Sequence, residues 1–241
     1  MALNQYLKRV FPGTAEEYAK RAEQAMLSGE RLFIVTANPE ILMHAQRDPA
    51  VERLLLDPRT EIVPDGISVV KAMKMLSLPV KERVTGVDLA ERLLNAAGRQ
   101  GKTVYLLGAK EEVVSALAKK LKLQYPAITV RCRNGYSKDK DADFQEIKAL
   151  APDLTLVALG VPAQDLLIHR HLDEFPKGVF MGVGGSFDVL SGSKKRAPAL
   201  FVKTNTEWLY RIAKEPQRLG RFWNNNVKFL REVKKAAQQK K

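Results

Sequence analysis

Six short runs, RLFIVT (31–36), TEIVP (60–64), KTVYLLG (102–108), AITVRC (127–132), DLTLVALG (153–160) and GVFMGVGG (178–185), are apolar at most positions. Between them lie stretches whose apolar residues recur at helical spacing, such as ISVVKAMKML after the second run and AKEEVVSALAKKLKLQY after the third. A strand with one solvated face alternates polar and apolar residues, whereas a strand without that alternation has both faces covered. Strands of this kind joined by helices predict an α/β fold, a parallel sheet with helices on both faces. The helix-start signals agree. Thr14 and Glu17 form a capping box ahead of AEEYAKRAEQAML, and Asn38 before Pro39 caps NPEILMHAQ.

In such a sheet, ligands bind at the carboxyl ends of the strands. Those ends carry Thr36 and Asn38, then Asp65 and Gly66, then Gly108, then Gly160 with Gln164, then Gly184, Gly185 and Asp188 of GVGGSFD. Glycines at these turns let a ligand approach backbone N–H groups, and helix N-termini suit phosphates. Asp65 stands between a strand and a helix, where an acid serves equally as a helix cap or as a chemical tool. The G-x-G-x-x-G fingerprint of dinucleotide binding is absent, as is a G-x-S-x-G nucleophile turn. DKDAD (139–143) reads as a solvated loop and helix start rather than a metal motif, and His169 and His171 as surface or interface residues. The one cysteine, Cys132, can form no internal disulfide and no zinc cluster. A lone cysteine fits a reducing cytoplasm, and no run is apolar enough for a signal peptide or a spanning helix.

Charge divides the chain unevenly. The net charge is +13, yet residues 1–193 carry only +2, and the segment from Lys194 onward carries +11. We therefore expect a body at 1–193 and a basic helical appendage at 194–241. In the appendage, Trp208, Leu209 and Ile212 share one helical face. After Pro216, a second stripe runs through Leu219, Phe222, Trp223, Val227, Leu230 and Val233, interleaved with Arg218, Arg221, Lys228, Arg231 and Lys234. Basic and aromatic residues so mixed fit an interfacial membrane helix, and equally a helix hairpin packed on the body.

The segments TANPEIL, PDGISVV, RVTGVDL, YLLGAKEEV, NGY, GVPAQD, MGVGGSFDVLSG, KRAP and EWLYRIAKEPQRLGR occur in this order. Together they resemble the WecG/TagA/CpsF family of bacterial glycosyltransferases, over about residues 31 to 222. The resemblance implies a Rossmann-like body with an appendage that closes the site at the membrane. Within the family it is nearest the N-acetylmannosaminyltransferases of wall teichoic acid linkage-unit synthesis. It implies inverting transfer of N-acetylmannosamine from a UDP-sugar donor to undecaprenyl-diphosphate-linked N-acetylglucosamine, through a β-1,4 linkage. The implied setting is the inner face of the cytoplasmic membrane, with no cofactor, no metal and no nucleic acid, and with room for a homo-oligomer. Carried over residue by residue, Asp65 matches the general base, with Thr36 beside it. Asn38, Arg83, Gln164 and Asp188 line the same pocket, and Arg211, Arg218 and Arg221 match the appendage arginines. Relatives often have Lys-Gln-Glu where this chain has Ala163, Gln164 and Asp165, and are commonly apolar where it has Thr204 and Thr206.

The chemistry suits those residue types. An ordinary aspartate is ionised at pH 7 and can accept a proton from an attacking hydroxyl. The departing UDP gains negative charge, which arginines bind through paired hydrogen bonds. Three other readings stand beside this one: the same family with UDP-N-acetylmannosaminuronic acid as donor, a nucleotide-binding oxidoreductase, and a nucleic-acid-binding protein using the basic tail.

Overall fold

A computed structural model describes residues 2–238, and for Ala2, Lys203, Arg211, Arg218 and Arg221 it describes the backbone. Two helices, α1 (Ala2–Lys8) and α2 (Ala15–Ser28), precede strand β1 (Arg31–Ala37). Helices α3 (Pro39–Ala45) and α4 (Pro49–Leu56) lead to β2 (Thr60–Pro64), and α5 (Ile67–Met75) and α6 (Gly86–Arg99) to β3 (Thr103–Gly108). Then come α7 (Glu111–Gln124), β4 (Thr129–Arg133), α8 (Lys140–Leu150), β5 (Leu154–Ala158), α9 (Ala163–His171) and β6 (Gly178–Gly182). The chain closes with α10 (Ser186–Leu190), α11 (Ala199–Lys203), α12 (Glu207–Lys214), α13 (Arg218–Phe222), a π-helical turn (Trp223–Val227) and α14 (Lys228–Gln238). The expected caps form: Thr14 and Glu17 complete their box on α2, and Asn38 Oδ1 accepts from the N–H groups of Glu40 and Ile41 on α3.

The six strands form one parallel sheet in the order β2-β1-β6-β5-β3-β4. The α/β class expected from the apolar runs is therefore the observed one. Alternate residues of each strand but the edge strand β4 enter opposite cores. Leu32 and Ile34 of β1 pack with α2, α6, α7 and α10, while Phe33, Val35 and Ala37 pack with α1, α3, α4, α5, α8, α9 and α14. β1 and β6 are neighbours, but the helix after β1 covers one face and the helix after β6 the other. Their following loops thus diverge and leave a crevice at the carboxyl end of the sheet.

Several expectations change. His171 is buried, stacked on Phe144 at 4.9 Å and bracketed by Asp141 (2.8 Å) and Glu174 (2.7 Å), because α8 packs over it; it is not a surface residue. Asp139 of DKDAD caps α8, as a helix start should, while Asp143 is fully buried against Arg133 at 2.6 Å. The second apolar stripe of the tail also divides. Val233 lies in the core with Leu230 packed against it, joined by Phe229 and Ala236 from outside the expected stripe, beside α1, α3 and α5, whereas Leu219 and Trp223 are exposed, Trp223 by 60%. The π turn at Trp223–Val227 separates the two parts. It takes one extra residue, which rotates everything after it by about 100° relative to a continuous α-helix.

Candidate active site

Asp65 follows β2 directly. Its backbone N–H donates to Ala37 O at 3.0 Å, which ties it to the end of β1. It is not the cap of α5. Gly66 takes that position with no side-chain cap hydrogen bond, and Asp65 Oδ1 instead accepts the N–H of Gly86 (3.2 Å), the first residue of α6. The loop before Gly86 is fixed to the same strand, since Val84 N–H donates to Pro64 O at 2.9 Å. The carboxylate therefore lies where α6 presents the unpaired N–H groups of its first turn.

The residues at the end of β1 meet this group from one side. Thr36 Oγ1 donates to Gly182 O at 3.3 Å, bridging β1 to β6 across the crevice, and a Cβ at Gly86 would stand 3.2 Å from Thr36 Cγ2. Gly66 likewise has no room to spare, since a Cβ there would come 3.1 Å from Pro39 Cδ. These close approaches draw Thr36, Asn38, Asp65 and the start of α6 together.

Gln164 and the glycines of the β6 turn form the far wall. Gln164 is 1% exposed, and its Oε1 accepts both Gly160 N–H (3.1 Å) and Gly184 N–H (3.0 Å). It shapes two turns rather than standing in the open pocket. Gly184 has φ +50°, and Gly185 is exposed at the N-cap of α10, with half-buried Asp188 on that helix. Gly108 is further away. It is buried, with φ +120°, and a Cβ there would strike Ala158 O at 2.3 Å. Its strand β3 lies two places beyond β6, roughly 10 Å at ordinary strand spacing. Close backbone packing thus accounts for this glycine.

The appendage closes on the Asp65 side. Arg83 Nη2 donates to Glu207 Oε2 of α12 at 2.6 Å, Arg196 Nη1 lies 2.5 Å from Asp88 Oδ1, and Ser68 Oγ donates to Asn226 Oδ1 at 2.8 Å. Asp88 is desolvated, which raises its pKa, yet Arg196 and Thr85 outweigh burial and hold the carboxyl below its usual range. All three body-side partners follow Asp65 closely in sequence. The side chains of Arg211, Arg218 and Arg221 lie outside the described residues. Among the described residues no three His, Cys, Asp or Glu side chains converge as a metal site.

Sequence reasoning had no separate signal for Glu207, Asp88 or Ser68. Glu207 lay in plain view in EWLYR, but its burial opposite Arg83 depends on how α12 folds back on the body.

A parallel α/β sheet with an acid and glycine turns at a divergent strand pair is the frame of a protein that binds its ligand at the carboxyl ends of the strands. The sequence profile of the Glycosyl transferase WecG/TagA/CpsF family matches residues 6–241. The chain is similar to the N-acetylglucosaminyldiphosphoundecaprenol N-acetyl-beta-D-mannosaminyltransferase of Bacillus spizizenii strain W23, at 40% identity over 190 residues, covering 78% of this chain and 74% of that protein. It is equally similar to the enzyme of that name from Staphylococcus aureus strain MW2, at 40% identity over 216 residues, covering 87% of this chain and 85% of the relative. The chain belongs to the WecG/TagA/CpsF family and is a glycosyltransferase.

Proposed function

We propose that the protein transfers N-acetylmannosamine from UDP-N-acetylmannosamine to the N-acetylglucosamine of an undecaprenyl-diphosphate-linked acceptor, with inversion, in wall teichoic acid or related surface-polymer synthesis. The observation that carries this reading is the placement of Asp65: at the end of β2, anchored on the α6 N-terminus, beside the β1/β6 crevice and beneath the appendage. The names of the two relatives support the acceptor and the sugar transferred.

In this reading Asp65 accepts the proton of the acceptor's 4-hydroxyl as that oxygen attacks the anomeric carbon from the face opposite UDP. The bond from the anomeric carbon to the UDP oxygen breaks, and the nucleotide leaves with the bonding electrons. Thr36 and Asn38 line the sugar side. The Gly184–Gly185 turn, shaped by Gln164, faces the diphosphate together with Asp188, and Gly108 supports the adjoining turn. Arg211, Arg218 and Arg221 meet the growing negative charge from the appendage. Arg83 holds the appendage through Glu207 in addition to lining the pocket.

The division into a body at 1–193 and an appendage at 194–241 belongs to the same proposal, with α14 as the appendage's anchor in the core. Half of the large apolar side chains most exposed among the described residues (Leu200, Trp208, Leu209, Leu219 and Trp223) fall in this short region. Such exposure beside many cations supports a peripheral seat on the inner face of the cytoplasmic membrane. No helix among the described residues is long and apolar enough to cross a membrane.

The deciding experiment offers a panel of UDP-sugars with a lipid-diphosphate-linked N-acetylglucosamine and detects the disaccharide by mass. Product with UDP-N-acetylmannosamine alone is expected. Product only with the uronic acid donor moves the assignment to the other branch, and no product with any donor overturns it.

A further inference from the structure

Next to the crevice lies a carboxyl group that the proposed reaction does not use. Asp165, in the first turn of α9, is 1% exposed, and its Oδ2 meets no hydrogen-bond partner. Burial raises its pKa to about 7, opposed by its own backbone N–H and by the Gln164 side-chain amide, with no charged side chain among the influences. A buried carboxyl without a cation is costly to keep, so its position calls for a physical reason.

Gly182 locates that reason. A Cβ on Gly182 would stand 2.6 Å from Asp165 Oδ1 and 2.6 Å from Gln164 Nε2, so the two side chains converge on the bare Cα at the end of β6. The amide of Gln164 then has two unlike sides. Its nitrogen shares the space over Gly182 with Asp165 Oδ1, and its oxygen gathers the N–H groups of Gly160 and Gly184. The two ends of an amide are nearly the same size, and only their partners decide which way it points. A flipped amide would set the NH₂ donor against two N–H donors, leaving both glycine N–H groups without an acceptor.

We propose that Asp165 is a positioning residue: its buried carboxyl fixes the direction of the Gln164 amide, and so holds the β5 and β6 turns at Gly160 and Gly184 in the form that faces the nucleotide. The functional half of this statement rests on the reading that these turns meet the diphosphate. Asp165 touches neither the donor nor the acceptor. It acts through Gln164, which acts through two backbone N–H groups.

The test compares Asp165→Asn, which keeps an acceptor oxygen at that place, with Asp165→Leu, which keeps the bulk and loses the acceptor. In the full-length protein without ligand, backbone amide NMR reads Gly160 and Gly184 directly. Asp165→Leu is expected to shift both resonances and to speed their hydrogen exchange about tenfold relative to core amides of β1, a change of the size of one lost hydrogen bond. Asp165→Asn is expected to leave both near wild type. UDP binding by calorimetry should weaken about tenfold in Asp165→Leu and hold in Asp165→Asn. Should Asp165→Leu fail to fold, Asp165→Ala takes its place. Unmoved glycine amides in the variant without an acceptor overturn the proposal, as does an Asp165→Asn protein that behaves like it. Wild-type protein that binds no UDP defeats the functional reading instead, and the amide comparison still decides the role of Asp165.

Discussion

Arg83 and Glu207 pair at 2.6 Å with side chains only 12% and 9% exposed, although 124 residues separate them in sequence. Arg83 stands three positions before Gly86, whose N–H holds Asp65. One loop therefore carries both the attachment of the appendage and the support of the candidate base.

Removing one partner of a nearly buried ion pair leaves the other charge stranded. Glu207→Ala should lower stability by about 2 kcal/mol and expose the segment between Arg196 and Phe222 to protease. Urea midpoints and timed digestion test this. Unchanged values in both would show that the pair does not hold the appendage.

Asp65→Asn keeps the hydrogen bond to Gly86 and removes the proton acceptor. Turnover should fall about 10²- to 10⁴-fold while UDP affinity stays within a few-fold of wild type. A folded variant with near-normal turnover would end the assignment of Asp65 as base.

Asp165 sets a pH signature. Its carboxyl keeps its proton in the folded state up to about pH 7, while in the unfolded chain it releases it near 4. Between those values the folded state binds the extra proton, so this group's contribution to stability declines as pH rises, by at most about 1.4 kcal/mol per pH unit. Asp57, held well below the usual carboxylate range by Arg59 despite its burial, acts in the opposite sense and only at lower pH. Denaturant midpoints from pH 5 to 8 should show a downward component in the wild type that Asp165→Asn lacks.

Phe229 is fully buried among the helices under the sheet. Phe229→Ala should cost about 3–4 kcal/mol. Cutting the chain at about residue 196 removes the same side chain together with Val233, so that truncation should destabilise the body as well as abolish vesicle binding. Calorimetric unfolding of the truncated chain at the wild-type temperature would contradict this.

Arg218→Ala and Arg221→Ala should each lower turnover on a short-chain, water-soluble acceptor, where seating at a bilayer no longer counts. Full activity there would reduce the tail to an anchor.

The sheet was legible because every strand but the edge strand β4 is buried on both faces, so composition alone betrays them: RLFIVT and TEIVP recur as β1 and β2 almost to the residue. Caps at Thr14 and Asn38 were legible because their partners lie within three residues. Asp65 marks where this stops. Its location at a strand end could be read, but its partner Gly86 is 21 residues away and is chosen by the way the 83–86 loop packs on β2. The tail stripe was legible only in part. On α14 it met the core at Leu230 and Val233 but passed over Phe229, and a spacing of 3.6 residues carried through Trp223–Val227 put Trp223 on the same face, since nothing local in WNNNV announces the wider turn. In the sequence Asp165 stands out only as a departure from relatives, because its burial comes from β6 laid across α9.

After β6 the chain runs out past Asp88, Arg83 and Ser68, which it contacts through Arg196, Glu207 and Asn226, and then returns to the core. Lys194 N–H is bonded to Asp188 O at one end of this run, and Phe229 is locked under the sheet at the other. A strap fastened at both ends cannot swing aside like a door; it can only bow outward by as much as its slack permits. Under the proposed function, entry and exit would then run sideways beneath the bowed segment, a path suited to a thin, long-tailed acceptor whose sugar end slides in and out.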